Sequence, residues 1–221
     1  MPPKPKFTKD EIINAAFEIV RTRGEDALTA REVGKYLKTS SSPIFTVFND
    51  MEELKTEVAR KAKARFDSYM EIAESYNPAY KKRGMQWVKF AQEEPILFKL
   101  LFMQSTGNAI NFDKALQIIP FGKENDITII TRDYHATPEQ AEHLFRQMWT
   151  YTYGLCVLCA TNLCCFTEED IALRLGEIFR GMIYVIKSGN EKIPAIKPVE
   201  RDSAGGNEIQ KKHPDLRTSE N

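Results

Sequence analysis

Residues 28–54 constrain the fold most, because they combine two helix-start signals with a turn rich in hydroxyl side chains. Thr29 and Glu32 have the spacing of a capping box, which predicts a short helix ending near Leu37. Ser42 followed by Pro43 predicts the start of a second short helix over residues 43–48. Two short helices around such a turn are typical of a helix-turn-helix, whose second helix can lie in the DNA major groove.

Residues 8–66 resemble the DNA-binding domain of TetR-type transcriptional regulators. The matching positions are Ile12, Ala16, Gly24, Leu28, Thr29, Val33, Gly34, Leu37, Ser40, Ile44, Phe45, Phe48, Asp50, Glu53 and Leu54. Matches in register over about sixty residues are more specific than a short motif. The resemblance implies an all-α protein with an N-terminal three-helix helix-turn-helix domain (motif at 29–48) and a C-terminal helical ligand-binding and dimerisation domain. Its implied function is that of a dimeric, ligand-relieved repressor of a palindromic DNA operator.

The resemblance also implies which residues contact DNA. Those expected to face the groove are Ser41, Ser42, Pro43, Thr46 and Val47. The expected phosphate contacts are Thr29, Lys38, Ser40 and Lys55, and Thr39 and Phe45 complete the predicted DNA-binding set. Hydroxyl groups near a helix N-terminus suit phosphate oxygens, and a packed helical hairpin has no need of them.

Three positions depart from the family pattern. Many members have a tyrosine at the position of Phe45 and a lysine at that of Met51, and both residue types commonly contact the phosphate backbone. Glycine is usual at the position of Lys38, so Lys38 must adopt a left-handed backbone or shift the turn. These departures keep open an alternative, a helical interaction module that has lost DNA binding.

The rest of the chain divides into a basic arm (1–7), the DNA-binding domain (8–66), a regulatory domain (67–189) and a flexible tail (190–221). A capping box at Thr8 predicts a first helix ending at Gly24. A helix beginning at Asp50 is expected to continue to about Tyr76 and so to join the two domains. The last two predicted helices are apolar on more than one face, which favours a homodimer. In the family, the same helices form a four-helix bundle with the partner.

Aromatic residues of the regulatory domain are expected to form its core and the wall of an effector pocket. The candidates for effector contact are Trp87, Phe90, Phe102, Trp149 and Tyr153. An effector that is mostly apolar or aromatic is the general expectation for such a pocket. The identity of the small molecule is left open.

Four cysteines lie within ten residues, at Cys156, Cys159, Cys164 and Cys165. Their spacing allows a second alternative, a redox- or metal-responsive regulator. Metal-ligating pairs usually come from turns, whereas the first two cysteines fall inside a predicted helix, and His135, His143 and His213 do not complete a site. Packing of reduced cysteines in the core or the dimer interface is therefore the favoured interpretation.

The net charge of the 221 residues is zero, but residues 1–66 carry 13 basic and 10 acidic side chains, a slight excess that favours DNA. No apolar run is long enough for a membrane span or a signal peptide, so a cytoplasmic protein without membrane contact is expected. No catalytic constellation, cofactor motif or metal motif is visible. The prediction is a non-enzymatic protein without cofactors.

Overall fold

The computed structural model describes residues 6–105, 107–118 and 122–188. Most of the basic arm and the whole 190–221 tail lie outside these ranges. The described residues form nine α-helices and no strand, which confirms the all-α prediction. The helices are α1 (Lys9–Arg23), α2 (Ala30–Tyr36), α3 (Met51–Glu74), α4 (Ala79–Glu93), α5 (Pro95–Phe102), α6 (Phe112–Ile118), α7 (Lys123–Tyr134), α8 (Pro138–Ala160) and α9 (Glu168–Ser188).

The starts of α1 and α2 follow the capping signals of the sequence, the first completely and the second in part. Thr8 and Glu11 form a complete capping box at α1, with reciprocal bonds of 2.8 and 3.2 Å. At α2 only half of the predicted box is present. The Thr29 hydroxyl accepts from the Glu32 amide at 3.2 Å, but the Glu32 carboxylate binds Arg23 Nη1 at 2.6 Å instead of the backbone. A charge-assisted bond to a nearby guanidinium is the stronger partner.

The N-terminal helices contribute to one apolar cluster that extends from Ile12 to Ile186. Ile12 of α1, Val33 of α2 and Leu54 of α3 are completely buried and belong to one cluster. Ile44 and Phe48, which lie between α2 and α3, are buried in the same cluster. The segment after α2 is thus held by two side chains that point inward, while its other side chains remain available at the surface.

Helix α3 joins the N-terminal helices to the rest of the molecule. Its 24 residues make it about 36 Å long at 1.5 Å per residue. Its buried side includes Leu54, Val58, Ala62, Phe66, Tyr69 and Met70. The proposed domain boundary at 66/67 falls inside this continuous helix and stays a prediction.

The C-terminal part is organised around α4, which packs against α3, α5, α7, α8 and α9. Phe66 of α3 lies at the centre of an aromatic cluster, with ring centroids 4.9 Å from Trp87, 5.2 Å from Phe90 and 4.9 Å from Phe102. Edge-to-face aromatic contacts of this kind add to the free energy of burial. None of the described helices is both long and apolar enough to cross a membrane.

Candidate nucleic-acid interface and ligand cavity

The end of α2 sets the geometry of the turn that follows it. Lys38 has a left-handed backbone (φ +54°), so the first of the two outcomes predicted for this residue is the one observed. Its amide donates to the Lys35 carbonyl at 3.1 Å, and the Thr39 amide donates to the Gly34 carbonyl at 2.8 Å. These two bonds constitute a Schellman motif, which usually has glycine at the left-handed position. The chain therefore reverses direction sharply at Lys38.

Gly34 allows the turn to pack directly on α2. A Cβ at this position would lie 2.8 Å from the Ser40 carbonyl oxygen and 2.9 Å from its carbon. Backbone atoms cannot easily move aside, so a larger side chain would push the turn outward. The glycine thus sets how closely residues 39 and 40 approach the helix.

The predicted second helix over residues 43–48 is wrong in type, because the structure has a single 3-10 turn at Ile44–Thr46. No side-chain cap bond is made at its start, so the predicted Ser42 cap is also wrong. Isoleucine, threonine, valine and phenylalanine are weak helix formers, and the run is too short to compensate. The Thr46 hydroxyl also donates to the Pro43 carbonyl at 2.7 Å.

All the predicted DNA-binding side chains lie at least partly at the surface. The exposed ones are Thr29, Lys38, Ser40, Ser42, Phe45 and Thr46, and the half-buried ones are Thr39, Ser41, Pro43, Val47 and Lys55. Phe45 is 50% exposed and Tyr36 is 54% exposed, which is unusual for large aromatic rings. The Lys6 ammonium donates to the Thr39 hydroxyl at 3.3 Å, which places the arm beside the turn. Lys55 pairs with Glu52 at 2.8 Å.

A cavity of about 220 Å³ lies between α4, α7, α8 and α9. Most of its wall is aromatic or aliphatic. The indole of Trp149 stacks on the ring of Tyr153, with centroids 5.0 Å apart and planes 15° apart. The full lining is Pro78, Tyr80, Lys81, Arg83, Gly84, Trp87, Asp126, Tyr134, Met148, Trp149, Thr152, Tyr153, Leu175, Gly176, Phe179 and Arg180.

One buried ion pair interrupts the apolar wall of this cavity. Arg83 of α4 donates through Nε to Asp126 Oδ1 of α7, and the two side chains are 6% and 10% exposed. Burial raises the pKa of Asp126 to about 6, although the charge and hydrogen bond of Arg83 oppose that shift. Burial, reinforced by Asp126, raises the pKa of Tyr80 well above its usual value, so this phenol stays neutral.

Three of the five predicted effector-contact residues line the cavity, namely Trp87, Trp149 and Tyr153. Phe90 and Phe102 pack in the aromatic cluster around Phe66 instead. Sequence analysis missed the polar members of the wall. Arg83 is four residues from both Ala79 and Trp87, on the buried face of α4, and a charge on an apolar face is the signal that could have identified it.

A second ion cluster links the end of α4 to the N-terminal helices. Glu94, directly after α4, is only 3% exposed and accepts from two arginines. Arg21 of α1 reaches it at 2.7 and 2.9 Å, and Arg65 of α3 reaches it at 3.1 and 3.2 Å. One buried carboxylate thus joins α1 and α3 to the junction between α4 and α5.

The cysteines divide into two pairs. Cys156 and Cys159 are buried in α8, while Cys164 and Cys165 are exposed after its end, so the core interpretation holds for the first pair alone. Burial raises the pKa of the Cys156 thiol well above its usual range and that of Cys159 to about 11. A buried thiol of this kind is a poor nucleophile and a poor metal ligand. Within the described residues, no group of three or more His, Cys, Asp or Glu side chains could hold a metal ion.

The sequence matches no protein-family model and no curated protein. The fold is nevertheless similar to several solved regulators. A TetR-like transcriptional regulator from Rhodococcus sp. RHA1 superposes with a TM-score of 0.56 at 11% identity, over 82% of this chain and 96% of the other. A TetR variant from Acinetobacter baumannii AYE, in complex with minocycline, gives 0.51 at 15% identity, over 85% and 100%.

A third similar structure is Thermus thermophilus FadR, a TetR-family transcriptional repressor in complex with lauroyl-CoA. Its TM-score is 0.50 at 16% identity, over 87% of this chain and 100% of that one. These matches extend over nearly the whole length of each regulator. The chain therefore has the fold of the TetR-type transcriptional regulators, with the helix-turn-helix in the N-terminal part and the cavity in the C-terminal part.

Proposed function

We propose that this chain, which has the fold of the TetR-type transcriptional regulators, is a dimeric repressor that a small molecule releases from its DNA operator. The observation that supports this most is the exposed turn after α2. It presents Lys38, Ser40 and Thr46 at the surface while Ile44 and Phe48 anchor it from inside. Surface hydroxyls and ammonium groups on a rigidly held turn suit phosphate oxygens and base edges.

Direct base contacts would come from the 3-10 turn, with Thr46 and Val47 as the reading residues. Thr46 donates its hydroxyl hydrogen to Pro43, so its oxygen is available to DNA as an acceptor. Lys38 and the arm residue Lys6 would contact phosphates, together with Thr29 and Ser40. The exposed ring of Phe45 would pack against sugar or the thymine methyl group, an apolar contact in place of the usual tyrosine hydroxyl.

Dimerisation is proposed through α8 and α9. Helix α9 buries Ile171, Leu175 and Ile186 within the chain, yet it also exposes Leu173 and Tyr184 on its opposite face. Gly154 and Gly181 lie exposed in α8 and α9, and a Cβ on either would meet nothing within 4 Å. Glycine inside a helix costs about 0.5–1 kcal/mol relative to alanine, and close approach of a partner helix gives a reason for it.

Helix α4 would transmit the effect of ligand binding from the cavity to the DNA-binding helices. Its first half supplies Tyr80, Arg83 and Trp87 to the cavity wall, and its end is joined to α1 and α3 through Glu94. A ligand that prefers a different position of α4 would therefore move both N-terminal helices. That motion would change the separation of the two DNA-reading turns, which must match half-sites about 34–36 Å apart.

A gel-shift assay with the DNA upstream of the protein's own gene, at several salt concentrations, tests this function. We expect a sequence-preferring shift that weakens as salt rises, because phosphate contacts release counterions. Thr46→Ala should weaken binding to the specific site alone, by about 1–3 kcal/mol, whereas Lys38→Ala should weaken binding to all DNA similarly.

Two outcomes of the gel-shift experiment count against the proposal. If Thr46→Ala binds the specific site with unchanged affinity, Thr46 is not a reading residue. If the wild-type chain gives no salt-sensitive, sequence-preferring shift, the regulator proposal fails, and a helical interaction module without DNA binding becomes the better description.

A further inference from the structure

The cavity wall contains a buried guanidinium that has one hydrogen-bond partner among the described residues, Asp126. Arg83 is 5% exposed and lines the cavity. Its Nε donates to Asp126, and the described residues provide no hydrogen-bond partner for its two terminal nitrogens. A guanidinium has five N–H donors, so the four terminal N–H groups of Arg83 can donate to a ligand that enters the cavity. A ligand oxygen inside the cavity would accept from them.

The arrangement of the two terminal nitrogens of Arg83 indicates which chemical group of a ligand they would bind. The two terminal nitrogens of a guanidinium form a planar fork that fits the two oxygens of a carboxylate. Asp126 binds on the Nε side and so fixes the orientation of the fork without occupying it. Gly122 lies beside this fork, where a Cβ would be 3.4 Å from Arg83 Nη2, an ordinary van der Waals distance.

The charge around the cavity also favours an anion. Lys81, Arg83 and Arg180 contribute three positive charges to the lining, and Asp126 is its single carboxylate. Arg180 folds back across Gly176, where a Cβ would be 3.3 Å from its Nη1. A positive excess in a low-dielectric cleft raises the local concentration of anions.

The remaining wall indicates the body of the ligand. Trp149 and Tyr153 present stacked rings, and Trp87, Tyr80 and Tyr134 add further aromatic surface. Flat aromatic rings pack best against such surfaces. The volume of about 220 Å³ is below the range of about 300–1,000 Å³ found for drug-sized ligands, which favours one or two rings over a long chain.

We infer that the effector of this cavity is a small planar aromatic carboxylate, held by the Arg83 fork and stacked among the aromatic side chains. The inference rests on the proposed function, because it names the ligand class of the same cavity. The carboxylate would lie at the α4–α7 side of the cavity, where Arg83 and Asp126 meet. The ring would lie toward Trp149 and Tyr153 on α8.

Titration calorimetry of the full chain without DNA tests this inference. The probes are benzoate and 2-naphthoate, each against its neutral amide, with octanoate as an aliphatic acid. We expect each aromatic carboxylate to bind at least tenfold more tightly than its amide and more tightly than octanoate. Equal or tighter binding of the amide, tighter binding of octanoate, or no binding by either aromatic acid overturns the inference.

Variants of the Arg83–Asp126 pair test whether Arg83 is the residue that binds the carboxylate. The double variant Arg83→Gln/Asp126→Asn removes both charges together, so neither is left buried alone. It should lose the preference for carboxylate over amide while amide binding and thermal unfolding change little. Arg83→Lys retains the charge without the fork and should bind carboxylates with intermediate affinity. A preference that survives in the double variant would show that the carboxylate lies elsewhere.

The calorimetry tests the ligand class and the gel shift tests DNA binding, so either proposal can fail without the other. If the carboxylates bind as expected but no DNA shift is seen, the ligand class stands and the regulator proposal fails. If operator DNA is bound and the carboxylates are not, the regulator proposal stands and the ligand class is wrong.

Discussion

Lys38 shows how one residue can be anticipated from sequence alone. A lysine at the end of a short helix, in a position where the family usually has glycine, predicts either a left-handed backbone or a shifted turn. The structure has φ +54° and the two hydrogen bonds of a Schellman motif. The left-handed backbone of Lys38 was therefore predictable, because this kind of turn normally has glycine at the same position.

Replacing Lys38 separates its backbone role from its charge. Lys38→Gly should raise the free energy of unfolding by about 0.5–1 kcal/mol, because relief of left-handed strain exceeds the added entropy of the unfolded chain. Lys38→Ala should leave stability nearly unchanged. Both variants should lose the same DNA affinity, since both lose the ammonium. Urea unfolding and the gel shift measure the two effects, and equal stability of the variants would contradict the strain argument.

The buried carboxyl group of Asp126 leads to a prediction about how ligand affinity depends on pH. Burial raises its pKa to about 6, and the groups that interact with it are Arg83 and Tyr80 on α4. A carboxylate ligand beside Arg83 disfavours the ionised form of Asp126, so ligand binding should take up a proton. Affinity for 2-naphthoate should therefore rise as pH falls from 8 toward 6. The full gain, about tenfold for each unit by which the ligand raises that pKa, is reached only below pH 6.

Calorimetry in buffers of different ionisation enthalpy measures this proton uptake. Asp126→Asn provides the control, because its side chain cannot titrate and its affinity should not vary over the same range. An identical pH dependence in wild type and variant would assign the proton to another group.

At the scale of the element, the turn after α2 shows that a local sequence pattern can predict the wrong type of secondary structure. Ser42 and Pro43 have the order of a cap and a first helical residue, but the run that follows forms a 3-10 turn. What holds the segment in place is burial of Ile44 and Phe48 in the apolar cluster that also contains Ile12 of α1 and Leu54 of α3. Tertiary packing therefore overrides a capping signal of modest strength.

Helix α4 is the element on which communication between cavity and DNA depends. Glu94→Gln should lower the free energy of unfolding by about 1–3 kcal/mol, because a neutral amide replaces the buried acceptor of two arginines, which are themselves partly exposed. It should also reduce the loss of DNA affinity caused by a bound effector. Urea unfolding and gel shifts with and without ligand measure the two effects.

Glu18→Gln is the matched control for this variant. Glu18 lies 3.6 Å from the same Arg21, but its side chain is 39% exposed, so its loss should cost less than about 0.5 kcal/mol. If both glutamate variants behave alike, Glu94 does not act as a buried link between the two parts of the chain.

At the scale of the whole molecule, the outward faces of α8 and α9 predict assembly. Tyr184 is 73% exposed, an unusual state for an aromatic ring on a helix that already packs on its other side. Tyr184→Glu should shift the protein from dimer toward the 25.4 kDa monomer by placing a charge in the interface. Sedimentation at several concentrations measures the change.

Tyr36→Glu is the control for assembly, since Tyr36 is 54% exposed on α2, in the N-terminal part of the chain. It should leave the mass unchanged. A wild-type chain that sediments as a monomer at every concentration would contradict the dimer, and equal dissociation by both variants would place the interface elsewhere.

The local sequence pattern was enough to predict the all-α class and the helix starts at Thr8 and Asp50. These features depend on capping bonds within four residues and on a repeat of 3.6, so neighbouring residues contain the information. The Arg83–Asp126 pair and the Glu94 cluster appear only in the folded chain. Each joins residues dozens of positions apart, and their contact depends on how whole helices pack.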